Sequence, residues 1–345
     1  MKVLVTGGAG FIGSHAAEYY ADKGNHVTVM DNLSRAKLLN KDIKNLRFNW
    51  NYLKQFKNIE IIRGDIRNAK KIREVSKEAD VIIHAAAQTA VTTSVIEPEA
   101  DFSTNAIGTF NVLEAARLSD KNPAIIYCST NKVYGENVNN ATVLSRKKRY
   151  SFEKKFRKGI PESFSTDLCE HTPYGCSKLT GDLYCQDYAR LYGLKTGVFR
   201  MSCIYGTRQF GLEDQGWVAW FTIATILGKK ITIFGDGKQV RDVLFVSDLV
   251  DAYDKFIKSK LKHGVFNTGG GSSNTLSLLE LLDILERYSG KRSKITFSKW
   301  RPSDQKVYIS DISKIKEALG WKPKVTPKQG VKKLVDWVKD NRAIF

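Results

Sequence analysis

The sequence predicts an α/β protein with a doubly wound parallel sheet, followed by a smaller C-terminal α/β domain. Three observations lead there. Short apolar runs alternate with amphipathic stretches over the first 200 residues, a glycine-spaced turn joins the first strand to the first helix, and the alternation loosens beyond residue 200. Strand–helix alternation of this kind puts helices on both faces of a parallel sheet, so its strands read as continuous apolar runs.

The runs are KVLVT (2–6), HVTVM (26–30), IEIIR (59–63), DVIIH (80–84), AIIYC (124–128) and KTGVFR (195–200). Between them lie helical patterns such as IGSHAAEYYADKG and NAIGTFNVLEAARLS. The Lys/Asn-rich connection 33–58 reads as a helical insertion, and a basic stretch at 136–166 interrupts the end of the same unit. Further on come a tryptophan-containing helix near 214–228, short strands ITIF and DVLFV, then FNTGG, and two helical patterns around GWKP (320–323). The expected domains are 1–200 with 242–270, binding a dinucleotide, and 201–241 with 271–345, binding substrate.

Composition narrows the function classes. The 345 residues suit one large or two joined domains, with apolar and charged fractions ordinary for a globular chain. No 18-residue apolar run predicts a membrane span, and the N-terminus lacks the basic–apolar–small order of a signal peptide. The five cysteines are odd in number and lack CxxC spacing, which points to a reducing compartment, the cytoplasm. Cys169-Glu-His171 followed by Cys176 matches no common zinc spacing, so no metal is expected. Much of the formal charge of +19 is local: RKKRYSFEKKFRK (146–158) holds eight Lys or Arg and one Glu, a net +7. A solvated loop, a lid attracting an anionic diphosphate, and a nucleic-acid surface are three readings of that segment.

The chemistry begins at TGGAGFIG. Gly7, Gly10 and Gly13 at a strand–helix junction allow a tight turn and close approach of backbone to a pyrophosphate, which then sits on the helix N-terminus. Asp31 ends the second strand eighteen residues past Gly13, where a carboxylate holds both ribose hydroxyls and repels a 2′-phosphate. NAD is therefore expected rather than NADP, with Arg35 the one nearby cation that works against it. Asp65 and Ile66 after the third strand, and His84 with Ala85, Ala86 and Ala87 after the fourth, fall where the adenine and cofactor backbone would pass. His84 reads equally well as a core histidine. Ser129 or Thr130 ends the fifth strand at the carboxyl edge of the sheet.

TPYGCSK (172–178) supplies the proton chemistry. Tyr174 and Lys178 stand side by side at i,i+4 on a helix, so an ammonium at Lys178 is expected to favour the phenolate at Tyr174. That pair serves a bound nicotinamide, with the Thr130 hydroxyl orienting the substrate oxygen.

These motifs together resemble the extended short-chain dehydrogenase/reductase family of nucleotide-sugar epimerases and dehydratases. The resemblance spans TGGAGFIG, DNLS, GDIR, HAAA, the hydroxyl-x-x-VYG segment, YGCSK, FRMSCIYG, VRDVLFVSD, FNTGG, RPSDQ and ALGWKP. It implies a Rossmann-type fold and a Thr130, Tyr174, Lys178 triad, with Tyr174 the base and Lys178 also on the nicotinamide ribose. The implied cofactor set adds Phe11, Ile12, Asn32, Asn105 and Ser129. Arg241 and Arg301 match positions holding the sugar-nucleotide phosphates, and Asp304 one near the ribose. Asn131, Lys132, Arg208, Gln209 and Gln215 complete the implied substrate set.

Relatives that eliminate water carry an acidic residue at 131–132, because elimination needs a further acid/base group. This chain has Asn131-Lys132 there, which lowers the dehydratase reading. STNKVYG, RQF (208–210), DQGWVAWF (214–221) and GDGKQVRDVL (235–244) look like the branch that interconverts CDP-paratose and CDP-tyvelose by inverting carbon 2. Cys203 stands where 4-epimerase relatives carry an asparagine, so that phosphate contact must be made otherwise. The resemblance implies a nucleotide-diphosphate sugar substrate and a homodimer or homotetramer, with no membrane or nucleic-acid partner. Another nucleotide-sugar epimerase, a dehydratase or reductase, and a nucleic-acid-binding relative are the alternatives.

Overall fold

A computed structural model describes residues 1–35, 47–301 and 304–345. The chain forms two compact units: residues 1–133, 171–200 and 250–266, and residues 134–170, 201–249 and 267–345.

The first unit is organised by a seven-stranded sheet. Strands β1 (Lys2–Thr6), β2 (His26–Asp31), β3 (Ile59–Arg63), β4 (Val81–His84) and β5 (Ala124–Thr130) are joined by Thr196–Met201 and His263–Thr268. Their spatial order is His263–Thr268, Thr196–Met201, β5, β4, β1, β2, β3. The pairs β1/β2, β1/β4, β2/β3 and β4/β5 are parallel, with Val5 opposite both Val29 and Ile83. All four residues of β4 and all seven of β5 are buried, the signature of strands covered on both faces. The order reverses beside β1, so the carboxyl ends of β1 and β4 face the crevice where doubly wound sheets bind ligands.

Helix α1 (Phe11–Asp22) follows the glycine turn and buries Gly13, Ala16, Ala17 and Tyr20 against the sheet. The stretch after β4 is less regular. A short helix, Pro98–Phe102, runs into a π-helical turn at Ser103–Ile107 before the α-helix resumes at Gly108–Arg117. Such turns concentrate at functional sites.

In the second unit, strand Val240–Phe245 pairs in parallel with Cys203–Tyr205 and Val307–Tyr308, and antiparallel with Thr275–Ser277. A separate parallel pair joins Lys230–Phe234 to Lys294–Ser298. Helices Trp217–Leu227, Leu278–Ser289 and Pro327–Asp340 pack here, the latter two each opened by a capping box, at Ser277/Glu280 and Thr326/Gln329. The GWKP tryptophan, Trp321, is fully buried and donates to the Asp248 carbonyl at 2.9 Å.

The expected boundaries shift in three places. Residues 134–170, of which 136–166 was read as an insertion in the first domain, cluster with the second unit, as do 242–249 and 267–270. The reason is visible in the hydrogen bonds: Tyr150 N–H donates to the Lys238 carbonyl, and Ile160 N–H to the Ile309 carbonyl. Of the helical insertion expected at 33–58, residues 36–46 lie outside the described residues, and Phe48–Leu53 is a helix.

Candidate active site

The glycine turn is built without room for side chains. Gly7 has φ +69°, and a Cβ there would stand 2.6 Å from the Ala86 backbone. A Cβ on Gly13 would lie 2.3 Å from the Gly7 carbonyl oxygen, to which Gly10 N–H donates at 3.0 Å. Helix α1 then starts with no side-chain cap and no acidic residue in its first turn. Its first amides and the positive end of its dipole thus face the loop, an arrangement suited to a pyrophosphate.

The carboxylate of Asp31 is held at the end of β2 by the amides of Ala9 (3.0 Å) and Leu33 (2.8 Å). Burial raises its pKa, and those two hydrogen bonds oppose the rise. Burial also lowers the pKa of the Arg35 guanidinium. Asp65 is engaged more fully than expected. It accepts from Asn32 at 3.0 Å and forms a fork with Arg67 at 2.7 Å, which with its amide draws its pKa down to about 2. The Ile66 side chain packs where a Cβ on Gly108 would go. His84 is a core histidine: its ring nitrogens meet Thr6 (2.7 Å) and Thr109 (3.0 Å), and burial pushes its pKa down to about 3, keeping it neutral. Next to it, Ala85 N–H donates to the Thr6 carbonyl, bringing the backbone of 85–86 against the glycine turn.

Tyr174 and Lys178 lie in the first turns of the long helix Thr172–Tyr192. Lys178 is 2% exposed, with Nζ 4.2 Å from the centroid of the Tyr127 ring. Burial lowers its pKa to about 8. No carboxylate is ion-paired with it among the described residues. Tyr174 differs from expectation. Burial raises its pKa to about 12, and it is the hydrogen bond with Thr130 that works against the rise. Desolvation of the phenolate is the dominant cause, so in this environment the i,i+4 pair alone does not make Tyr174 a base at neutral pH. The Thr130 hydroxyl is itself oriented by the Lys132 amide at 3.2 Å and by the Asn131 side chain at 3.4 Å. Ser129, expected near the cofactor, spends its hydroxyl on Asp182 at 2.7 Å, and Asp182 forms a buried two-point pair with Arg200 at 2.9 and 3.1 Å.

Asn105 is placed by the π-helical turn. Its carbonyl accepts from Gln88 N–H at 2.9 Å, and its amide faces the Gln88 carbonyl, Asp101 and Ser177 at 3.0, 3.1 and 3.0 Å. It therefore ties the loop after β4 to the helix that carries Tyr174 and Lys178. Asp101, Tyr127 and Asp182 were not singled out by sequence reasoning. Only Asp182 left a trace, its i+4 spacing from Lys178.

In the second unit, two expected substrate residues meet: Arg241 donates to Asp304 at 2.7 Å. Arg301 pairs with Asp214 at 2.8 Å and lies 4.0 Å over the Phe234 ring. Pro302 and Ser303 of the RPSDQ motif lie outside the described residues. Gln209 donates to the Ile204 carbonyl at 3.2 Å, Arg208 is buried with φ +57°, and the Leu212 and Gln215 backbones bond reciprocally. Cys203 accepts from the Trp217 indole at 3.3 Å. The basic stretch is a hairpin, Val143–Ser145 with Tyr150–Phe152. Lys148 pairs with Asp283 at 2.6 Å, Arg149 with Glu280 at 3.3 Å, and Tyr150 donates to Asp236 at 2.7 Å. Those contacts anchor the first part of the 146–158 segment at Lys148, Arg149 and Tyr150.

A helix-borne tyrosine and lysine beside a threonine, on a sheet whose first turn is a glycine cradle, define the extended short-chain dehydrogenases/reductases. The family model described as GDP-mannose 4,6 dehydratase matches residues 4–334, and the chain belongs to that family. It is 43% identical over 346 residues to CDP-paratose 2-epimerase of Salmonella typhi, covering 98% of this chain and 99% of that protein. Among solved structures it is similar to UDP-glucose 4-epimerase from Thermotoga maritima with UDP-glucose, at TM-score 0.81, 31% identity, and 99% and 100% coverage of the two chains. It is also similar to UDP-glucuronic acid 4-epimerase from Bacillus cereus in complex with UDP-glucuronic acid and NAD, at TM-score 0.80, 28% identity, and 99% and 100% coverage.

Proposed function

We propose that the protein is an NAD-dependent epimerase that interconverts CDP-paratose and CDP-tyvelose by inverting carbon 2 of the sugar. The observation that carries this reading is the 43% identity, over nearly the whole of both chains, to a CDP-paratose 2-epimerase. The residues present fit NAD. The cradle at Gly7, Gly10 and Gly13 has space only for backbone, Asp31 is held ready for a ribose, and Lys178 is a buried cation with no ion-pair partner among the described residues.

When bound, NAD supplies a reversible hydride acceptor carrying a positive charge. With NAD bound, the Tyr174 phenolate would take the proton from the sugar hydroxyl being oxidised and return it to the same oxygen in the reverse step. Thr130 would hold the oxygen on which charge develops. Lys178 would hold the nicotinamide ribose and add a second positive charge beside Tyr174. Because burial, aided by the charges of Asp101 and Cys128, holds the phenol near 12, ionisation of Tyr174 depends on the cationic surroundings of the loaded site. The sugar must turn over between the two hydride steps, so binding energy belongs on the nucleotide and diphosphate rather than on the ring. Arg241 and Arg301 are assigned to that anchoring, which requires them to exchange Asp304 and Asp214 for phosphate oxygens or to share themselves between both.

We also read the protein as a cytoplasmic homo-oligomer. All five cysteines are free thiols, and no described helix is long and apolar enough to cross a membrane. Helices Gly108–Arg117 and Thr172–Tyr192 leave Phe110, Leu183, Tyr184 and Leu191 exposed, with the Phe110 and Tyr184 rings 6.1 Å apart. Exposed apolar side chains of this kind are suited to a second copy of the chain.

The test is to incubate the purified protein with CDP-paratose and follow CDP-tyvelose by chromatography, beside a parallel reaction with UDP-glucose. Conversion of the CDP sugar is expected. Inversion of carbon 4 in UDP-glucose with no change in CDP-paratose would overturn the substrate assignment. Sedimentation analysis with Leu191→Glu tests the oligomer, which that charge is expected to dissociate.

A further inference from the structure

We infer that Asp101 is a positioning residue for the proposed reaction: a buried counter-charge, linked through Asn105 and Ser177 to the Tyr174–Lys178 pair, that sets the pH range in which the pair works.

Asp101 is fully buried at the end of the short helix Pro98–Phe102, one turn before Asn105. One carboxylate oxygen accepts from the Asn105 amide at 3.1 Å, and the other is buried with no hydrogen-bond partner. A buried polar atom left unpaired is costly, and a carboxyl in that state calls for a reason. Asn105 also donates to the Ser177 hydroxyl, which donates in turn to the Tyr174 carbonyl at 3.2 Å. Ser177 is the residue before Lys178, so the π-helical turn brings a carboxyl to the back of the catalytic helix.

The other ionisable groups around the pair are neutral or compensated. On β5, burial holds the Cys128 thiol up at about 11 and raises the Tyr127 phenol well above its usual value. On β4, His84 is held neutral, with a pKa of about 3. On the catalytic helix itself, burial raises the Cys185 thiol, and Asp182 is matched by Arg200 from strand Thr196–Met201. Asp101 and Lys178 are what remains: one carboxyl and one ammonium, both buried, neither in an ion pair among the described residues.

Burial raises the pKa of Asp101, and its contact with Ser177 and the Lys178 charge oppose the rise. Where it is ionised, Asp101 stabilises the Lys178 ammonium and destabilises the Tyr174 phenolate, and both directions appear in the electrostatics of those two groups. Removing the charge therefore lowers both pKa values together. The acid limb of turnover, where Tyr174 must ionise, and the alkaline limb, where Lys178 must stay charged, both move to lower pH.

This rests on the reaction proposed above, and the test separates the two. Asp101→Asn keeps the shape and removes the charge, while Asp101→Glu keeps the charge. The pH profile of kcat for Asp101→Asn is expected to slide to lower pH by about half a unit or more at both limbs, with Asp101→Glu staying near wild type. A merely structural role would lower the height of the profile and leave its limbs in place. Independently of any turnover, an ultraviolet difference titration of each protein against its Tyr174→Phe counterpart reads the Tyr174 ionisation directly. It is expected to fall in Asp101→Asn. A Tyr174 titration identical in wild type and in folded Asp101→Asn would overturn the inference. Absence of epimerase activity in wild type, with the titration still shifted, would overturn the reaction instead.

Discussion

The Lys178 ammonium stands 4.2 Å from the centre of the Tyr127 ring, and the Tyr127 hydroxyl donates back to the Lys178 carbonyl at 3.1 Å. Strand β5 therefore holds the helix Thr172–Tyr192 through Lys178 at both ends of one aromatic side chain. The ring face offers a cation a partner that does not compete for hydrogen bonds, leaving the three N–H groups of the ammonium for other acceptors. This explains how a buried lysine stays poised without a carboxylate in direct ion-pair contact with it.

Lys178 sets a pH prediction. Burial lowers its pKa to about 8, so the free protein loses the ammonium as pH rises through that value. kcat/KM reports ionisations of the free enzyme. With Tyr174 held near 12, its rise with pH is expected to level off near pH 8, where loss of the ammonium offsets the gain in phenolate. Lys178→Arg, charged throughout, should go on rising beyond pH 8 whatever its residual rate. A wild-type profile still rising at pH 10 would remove Lys178 from this role.

Tyr174→Phe is expected to lower turnover by ~2–3 orders of magnitude, the range for removing a general acid/base. Binding of NAD, followed by fluorescence, should persist, since the glycine cradle and Asp31 are untouched. Near-normal turnover would dismiss the assignment of Tyr174 as base.

Asp31→Ala should erode discrimination between NAD and NADP, because it removes the charge that repels a 2′-phosphate. Two amides fix the carboxylate, so the wild-type preference should be marked. Competitive binding of the two dinucleotides measures it, and equal wild-type affinities would point to Arg35.

Acid stability should depend on Asp65. Its folded pKa is depressed to about 2 from 3.8, chiefly by hydrogen bonding to Arg67. A depressed carboxyl pKa stabilises the fold above the unfolded value, and that contribution is lost as pH falls from about 4 to about 2. The pair is partly exposed, so solvent screening limits it to roughly 1 kcal/mol. Arg67→Leu should lower the melting temperature at pH 6 and have little effect at pH 2. An equal loss at both would assign the effect to packing.

The anchored hairpin leaves Lys154, Lys155, Arg157 and Lys158 exposed. Neutralising these four should reduce kcat/KM for a diphosphate substrate more at low than at high ionic strength, with kcat nearly unchanged, as electrostatic capture requires. Identical kinetics at both salts would make the segment a solvated surface. Loss of a salt-sensitive nucleic-acid affinity would favour the third reading of its charge.

Much of the first unit was legible in the sequence because its signals are local. A strand covered on both faces must be apolar throughout, and VIIH and AIIYCST announce themselves without knowledge of their neighbours. Glycines that must clear Ala86 and Gly7 backbone atoms cannot be replaced, so the cradle is written in residue type. Tyr174 and Lys178 are four residues apart on one helix, and their adjacency follows from helical geometry alone. What only the tertiary structure decided depends on partners distant in the chain. Residues 134–170 left the first unit because Tyr150 and Ile160 found backbone partners at Lys238 and Ile309. Arg149 gave up its freedom to Glu280, and Ser129 its hydroxyl to Asp182. The ionisation of Tyr174 turned out to be governed by desolvation, a property of everything packed around the phenol, which no spacing along the chain encodes.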